Sequence, residues 1–235
     1  MSSVSEDLAA ASQRLETLSP EARLAYAVER FGDRLLFTSS FGAGSGVLLH
    51  LWSEVARKLP VIFIDTGFLF DETLAYRDQL AKQLGLNVEV VRPAVDKTEF
   101  LWENGADVYA RAPDFCCATN KVAPLEPHIE RAKGWVSGLR RDQSAARADV
   151  PILLATDGPT KVHPLATMSL TDVDAYLARH AIPDHPLRAR RYLSIGCAPC
   201  TRAVADGEDE RAGRWAGTGK TECGLHTRPA GRENG

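Results

Sequence analysis

Residues 34–67 read RLLFTSSFGAGSGVLLHLWSEVARKLPVIFIDTG. Arg34–Thr38 has the look of a short buried strand, Ser39–Ser45 of a small polar loop, and Gly46–Arg57 of a helix. Pro60–Ile64 then supplies a wholly apolar, β-branched run, the pattern of a parallel strand covered on both faces, and Asp65-Thr66-Gly67 ends it. Strand, loop, helix and strand in this succession predict an α/β fold: a parallel sheet flanked by helices.

The same plan extends in both directions. Upstream, Ser19-Pro20-Glu21 combines an N-cap serine, a proline at the first helical position and an acid at the positive dipole end. Leu24, Ala27 and Val28 share one face of that helix, and Gly32 can end it. Downstream, Asp71 is read as the cap of a helix running to Gly85, Asn87–Val91 as a third strand, and Asp96-Lys97-Thr98-Glu99 as a capping box. Trp135–Leu139, Pro151–Leu154 and, more weakly, Lys161–Pro164 are further strands, and Ser169 opens a helix to about His180. From Thr201 onward, Gly207, Gly213, Gly217, Gly219 and Gly224 punctuate a charged stretch with no apolar period. The expected organisation is one α/β domain with an N-terminal helical segment over residues 1–200, followed by a flexible C-terminal tail over 201–235.

Composition narrows the class. Of 235 residues 44% are apolar and 25% charged, enough for a packed core and typical of a soluble globular chain. The net charge of -3 argues against a dedicated nucleic-acid binder while permitting a local basic site. Apolar runs such as Gly46–Trp52 and Val61–Ile64 are far too short to span a membrane, and Met-Ser-Ser-Val-Ser-Glu-Asp is no secretory signal, so a cytoplasmic location is expected. Five cysteines, among them an adjacent pair and a C-x-x-C, point to metal or redox work more than to a disulfide framework. Nothing in the composition excludes a homo-oligomer.

In a parallel sheet ligands bind beyond the carboxyl ends of the strands, which singles out the loops at 39–45, 65–70 and 138–147. The Ser/Gly-rich loop can aim backbone N–H groups at an anion, although a tight βα turn requires the same glycines. It is neither a Walker A sequence nor a G-x-G-x-x-G fingerprint. Arg140 and Arg141, with Gln143 and Arg147 behind them, suit a phosphate or sulfate; surface arginines at a helix start would read alike. Arg188, Arg190 and Arg191 are as well explained by an exposed face. Cys116, Cys117, Cys197 and Cys200 supply four thiolates suited to structural zinc or a [4Fe–4S] cluster, and spacing alone leaves both open, along with unrelated buried thiols. Cys223 is a lone thiol near Lys220, His226 and Arg228, whose charge would favour the thiolate, with Glu222 opposing.

Taken in order, Ser39-Ser40-Phe41-Gly42, Ile64-Asp65-Thr66-Gly67, Cys116-Cys117-x-x-x-Lys121, Gly138–Ser144, His163-Pro164-Leu165, Arg191–Gly196 and Glu222-Cys223-Gly224-Leu225-His226 form a series. This series resembles the assimilatory sulfonucleotide reductases, which reduce adenosine 5′-phosphosulfate (APS) or its 3′-phosphorylated form (PAPS) to sulfite. The resemblance implies an adenine nucleotide α-hydrolase-like (PP-loop) fold and, from the double cysteine with C-x-x-C, the APS-preferring branch with a [4Fe–4S] cluster on Cys116, Cys117, Cys197 and Cys200. It implies that Cys223 attacks the sulfate sulfur, that an S-sulfocysteine forms, and that thioredoxin or glutaredoxin releases sulfite. Ser39, Ser40, Phe41, Gly42, Thr66, Lys121, Gly138, Arg140, Arg211 and Arg214 are the implied substrate-binding residues. Where related ATP pyrophosphatases carry an acid in the loop this chain has Gly44, consistent with holding a phosphosulfate without splitting a pyrophosphate. Alternatives are a PAPS-using or dual-specificity reductase, an ATP-dependent adenylating enzyme of the same fold, and an iron–sulfur or zinc nucleotide sensor without turnover.

Overall fold

A computed structural model describes residues 2–220 together with Glu222, Gly224 and Leu225, and for residues 2–7 the backbone alone. The chain begins with helices α1 (Ser2–Leu15) and α2 (Pro20–Phe31), then alternates β1 (Leu35–Phe37), α3 (Gly46–Val55), β2 (Val61–Ile64), α4 (Asp71–Leu84) and β3 (Val88–Val91). Four helical pieces follow, α5 (Lys97–Asn104), α6 (Val108–Arg111), α7 (Pro113–Cys117) and α8 (Ala123–Arg131). Strands β4 (Gly134–Val136), β5 (Leu153–Leu154) and β6 (Thr160–Val162) precede α9 (Leu170–Arg179).

The expected caps form. Ser19 Oγ accepts from Ala22 N–H at 3.3 Å, and Asp96 Oδ1 accepts from the N–H groups of Thr98 and Glu99 at 2.7 and 3.0 Å. Ser169 and Asp172 exchange bonds as a capping box. Asp71 differs from expectation: it lies inside the first turn of α4, where its charge meets the helix dipole, and Phe70 is the N-cap. Gly85 ends α4 in a left-handed conformation.

β1 pairs in parallel with β4, β4 with β6, and β2 with β3. A parallel bridge from Thr38 to Ile62, with Ser39 N–H donating to Ile62 C=O at 3.1 Å, sets the second pair beside β1. The strands thus run β3-β2-β1-β4-β6-β5. The expected parallel sheet forms, with one antiparallel edge where two-residue β5 runs against β6 after the tight loop at 155–159. Period-two alternation divides the sheet's side chains. Leu35, Phe37, Val61, Phe63 and Val136 join the main core with α2, α3 and α4, while Leu36, Ile62 and Trp135 face Leu125 and Ile129 of α8. Both faces are therefore covered, as the apolar strands require.

The stretch from Thr201 to Lys220 has no helix or strand but is packed. Arg202 N–H donates to Gly213 C=O at 2.9 Å, Trp215 N–H to Cys200 C=O at 3.1 Å, and Val204 and Trp215 are buried. Among the described residues no helix is long and apolar enough to cross a membrane.

Candidate active site

From β1 the chain moves outward to β2 and β3, then returns to lay β4 on the other side of β1, so strand order reverses between β1 and β4. A cleft of about 250 Å³ opens at the carboxyl ends of these strands, where such a reversal leaves a crevice. Ser39, Ser40, Gly42, Thr66, Lys121, Gly138, Arg140, Arg211 and Arg214 all line it, although they come from five separate stretches of sequence. Phe41 does not. Its ring is fully buried, edge-on to Phe63 with centroids 5.5 Å apart, and its backbone sits at φ +48°, a region costly for a bulky residue. The aromatic side chain holds the loop from behind while its neighbours present themselves to the cleft.

Gly44, at φ +72°, donates its N–H to Asp184 Oδ1 at 2.9 Å, which fixes the loop ahead of α3. The paired arginines after β4 divide their work. Arg140 is 3% exposed and binds Asp142 through Nε at 2.9 Å and Glu210 through Nη2 at 2.8 Å. Arg141 points away and grips Glu16 of the segment after α1 at 2.5 and 3.1 Å, a structural tie. Arg188 and Arg191 are also structural: Arg188 binds Asp174 and Asp184, and Arg191 binds Val204 C=O and Asp206.

The C-terminal segment forms the opposite wall. Arg214 stacks on the Trp215 ring at 4.3 Å and lies so close to Gly196 that a Cβ there would collide with the guanidinium. Its buried Nε has no hydrogen-bond partner, nor has the buried Oγ of Ser137 on the cleft wall. Orphaned polar atoms in a cationic cleft are the signature of a polar ligand site. Ser137, Glu210 and Trp215 were missed by sequence reasoning. Only Ser137, next to Gly138 at a strand's carboxyl end, carried a usable signal. Burial pushes the Glu210 carboxyl up despite the neighbouring Arg140 guanidinium.

Cys116, Cys117, Cys197 and Cys200 line a second, small cavity with Phe68, Tyr109, Asn120 and Lys121. Among the described residues they are not drawn into a metal-binding cluster, yet no carboxylate or imidazole faces this cavity. Such an all-sulfur donor set suits zinc or an iron–sulfur cluster and disfavours harder cations. Burial, followed by repulsion from Cys197, raises the Cys116 thiol and takes Cys200 to about 11. These groups would become thiolates on binding a metal. Lys121 acts in the other direction on both, joined by Lys220 at Cys116 and Arg214 at Cys200.

A local widening of the helix brings the adjacent cysteines and Lys121 together. Between α7 and α8, Ala118–Val122 forms a π turn in which Ala123 N–H reaches back to Ala118 C=O. π turns recur at functional sites. Here Asn120 Nδ2 closes the turn by donating to Cys116 C=O at 3.0 Å. Thr66 links the two cavities: it lines the cleft, and its Oγ1 lies 3.3 Å from Cys197 Sγ. Lys121 lines both. Cys223 lies outside the described residues.

The profile of the phosphoadenosine phosphosulfate reductase domain matches residues 34–203. The adenosine 5′-phosphosulfate reductase of Chelativorans sp. (strain BNC1) is 45% identical, covering 89% of this chain and 86% of the relative. Its counterpart from Streptomyces coelicolor is 42% identical over 92% of each. A phosphoadenosine 5′-phosphosulfate reductase from Gloeobacter violaceus is 43% identical over 90% of each. Among solved structures, the phosphoadenylyl-sulfate reductase of Candida auris in its phosphate complex superposes with a TM-score of 0.74 at 25% identity, over 85% of this chain and 97% of that one. FMN adenylyltransferase from Candida glabrata shares the fold alone, at TM-score 0.56, 16% identity and coverage of 85% and 68%. A cleft at the strand reversal, a cationic C-terminal wall and a profile match spanning the whole sheet agree: the chain belongs to the phosphoadenosine phosphosulfate reductase family.

Proposed function

We propose that the chain reduces adenosine 5′-phosphosulfate to sulfite and AMP, using Cys223 as nucleophile and a thioredoxin-type dithiol as reductant. The observation that carries this reading is the shared wall: Lys121 lines both the cationic cleft and the four-cysteine cavity. The nucleotide's phosphosulfate lies among Arg140, Arg211, Arg214 and Lys121, with Ser137 and the Ser39–Ser45 loop completing the anion site. The Cys223 thiolate attacks the sulfate sulfur. The bond from that sulfur to the bridging phosphate oxygen breaks, and AMP leaves with the bonding pair. The enzyme then carries a Cys223 S-sulfonate. One thiolate of the reductant attacks Cys223 Sγ and expels sulfite, and its second thiol resolves the mixed disulfide, so the dithiol is oxidised as sulfur is reduced. Lys121 offsets the negative charge that builds on the phosphosulfate.

Cys116, Cys117, Cys197 and Cys200 are the ligands we assign to a [4Fe–4S] cluster. The cluster would supply a fixed local charge and tie α7 to the 197–200 turn. Use of PAPS, alone or beside APS, is the second reading, favoured by the Gloeobacter relative's name. The cytoplasm, where thiols are kept reduced, is the setting that fits the dithiol step.

The test is anaerobic incubation of the purified protein with APS or PAPS and no reductant, read by intact mass beside Cys223→Ser. A sulfonate-sized gain with APS, absent in the variant, is expected. A gain only with PAPS would reverse the substrate, and no gain with either in iron-replete protein would favour a nucleotide sensor.

A further inference from the structure

The reading above leaves open what brings the segment carrying Cys223 to the cleft. Glu222, the residue before it, is 17% exposed and its carboxylate is held by a fork: Arg147 Nε donates to Oε1 at 2.8 Å and Nη2 to Oε2 at 2.6 Å. Parallel charge-assisted bonds of this kind fix direction as well as distance. Arg147 is itself immobilised. It is 8% exposed, ends the short helical turn Ala145–Arg147, and donates through Nη1 to Gln143 Oε1 at 2.5 Å. That same oxygen accepts the N–H of Arg140, so the fork is in register with the cleft wall. Arg211 Nη2 adds a third donor to Glu222 at 3.0 Å. On the other side of residue 223, Leu225 packs against the apolar cluster of Leu36, Ile62 and Trp135, and its C=O accepts from Lys161 Nζ at 3.5 Å.

We infer that Arg147 is a positioning residue: its fork on Glu222 anchors one end of the Cys223 segment at the cleft, while Leu225 anchors the other. This rests on the assignment of Cys223 as nucleophile. The arrangement spends an arginine beside an anion site on the chain's own carboxylate, which makes sense where the neighbouring residue must be delivered to a bound sulfate. Arg147 also lines the cleft, so the part it plays through the carboxylate is read from Glu222→Gln.

The test uses the full, iron-replete chain as wild type, Arg147→Gln, Glu222→Gln and the double variant, each checked for an unchanged thermal transition. Glu222→Gln serves where Arg147→Gln fails to fold. Single-turnover S-sulfonation at saturating APS is expected to fall on the order of 10- to 100-fold in each single variant. The double variant should be no slower than either single one. APS affinity of Glu222→Gln, measured in the Cys223→Ser background, should change by less than about threefold. Alkylation of Cys223 by iodoacetamide without nucleotide should differ from wild type by the same factor in either single variant. An unchanged transfer rate, additive losses, or a loss of affinity with the rate intact would each overturn the positioning role. Sulfonation that persists in Cys223→Ser would instead overturn the assignment of the nucleophile, and the alkylation comparison would still report on the fork.

Discussion

The cleft has two walls of different construction. On one side the loop at 39–45 and α3 are held by packing: Phe41 is fully buried behind the loop, and the rings of Phe37 and Trp52 sit 4.7 Å apart beneath it. On the other side, the described residues between 196 and 225 are held largely by ion pairs, Arg140–Glu210, Arg147–Glu222, Arg202–Glu208 and Lys220–Asp114, with Val204, Trp215 and Leu225 as sparse apolar anchors. A packed wall is stiff and nearly indifferent to salt, whereas a wall pinned by charge can be competed for by another anion. In the proposed reaction the anionic end of the nucleotide is shared by both walls, between the loop at 39–45 and Arg211 and Arg214. The second wall includes Glu222 and Leu225, described residues on either side of Cys223, which under the proposed reaction would serve first the nucleotide and then the reductant.

The largest expected effect tests the stiff wall. Phe41→Ala removes a fully buried ring behind a left-handed turn and should cost about 4 kcal/mol in urea unfolding, with little dependence on added salt. A loss below about 1 kcal/mol would mean the loop is held by something other than packing. Next, Arg140→Ala cuts the junction between the walls and leaves Glu210, 11% exposed, without its partner. AMP binding followed by calorimetry should weaken on the order of 100-fold, about 3 kcal/mol. Binding within threefold of wild type would show that Arg140 serves the protein and not the ligand.

The smallest effect is a pH signature. Burial raises the Glu210 carboxyl, so from about pH 4.3, the ordinary glutamate value, up to its raised value the native chain binds a proton that the unfolded chain has lost. Stability contributed by this group is present below that window and falls as pH rises through it. Thermal melts of wild type and Glu210→Gln across the window should therefore converge on the acid side and separate toward neutrality, by less than about 1 kcal/mol. Parallel curves would place Glu210 in a solvated environment and dissolve the contrast between the walls.

How far the sequence could be read follows the same division. The packed wall was legible because apolar runs, caps and a Ser/Gly loop leave periodic marks, as at Val61–Ile64 and Ser19. The ionic wall was not, because residues 201–220 reach their neighbours through charged pairs, which have no period. The helical pieces carrying Cys116 and Cys117 were hidden by Pro113, Pro124 and Pro127, which break the propensity signal while sitting at helix starts or, for Pro127, inside α8. The direction of β5 was beyond reach, since two apolar residues do not encode orientation. Resemblance found Phe41, but only packing shows that its ring works from behind the loop.

The π turn at Ala118–Val122 makes chain length itself part of the chemistry. In an α-helix a residue five positions on lies well around the cylinder; the wider turn brings Lys121 back over Cys116, where its charge is felt. Were this stretch to rewind as ordinary α-helix at the same chain length, Lys121, five positions after Cys116, would lie about 140° round the cylinder and off the sulfur cavity. A one-codon deletion between Cys117 and Lys121 would leave Cys116 and the lysine four positions apart, on one face of an ordinary helix, so the extra residue and the wider turn compensate each other.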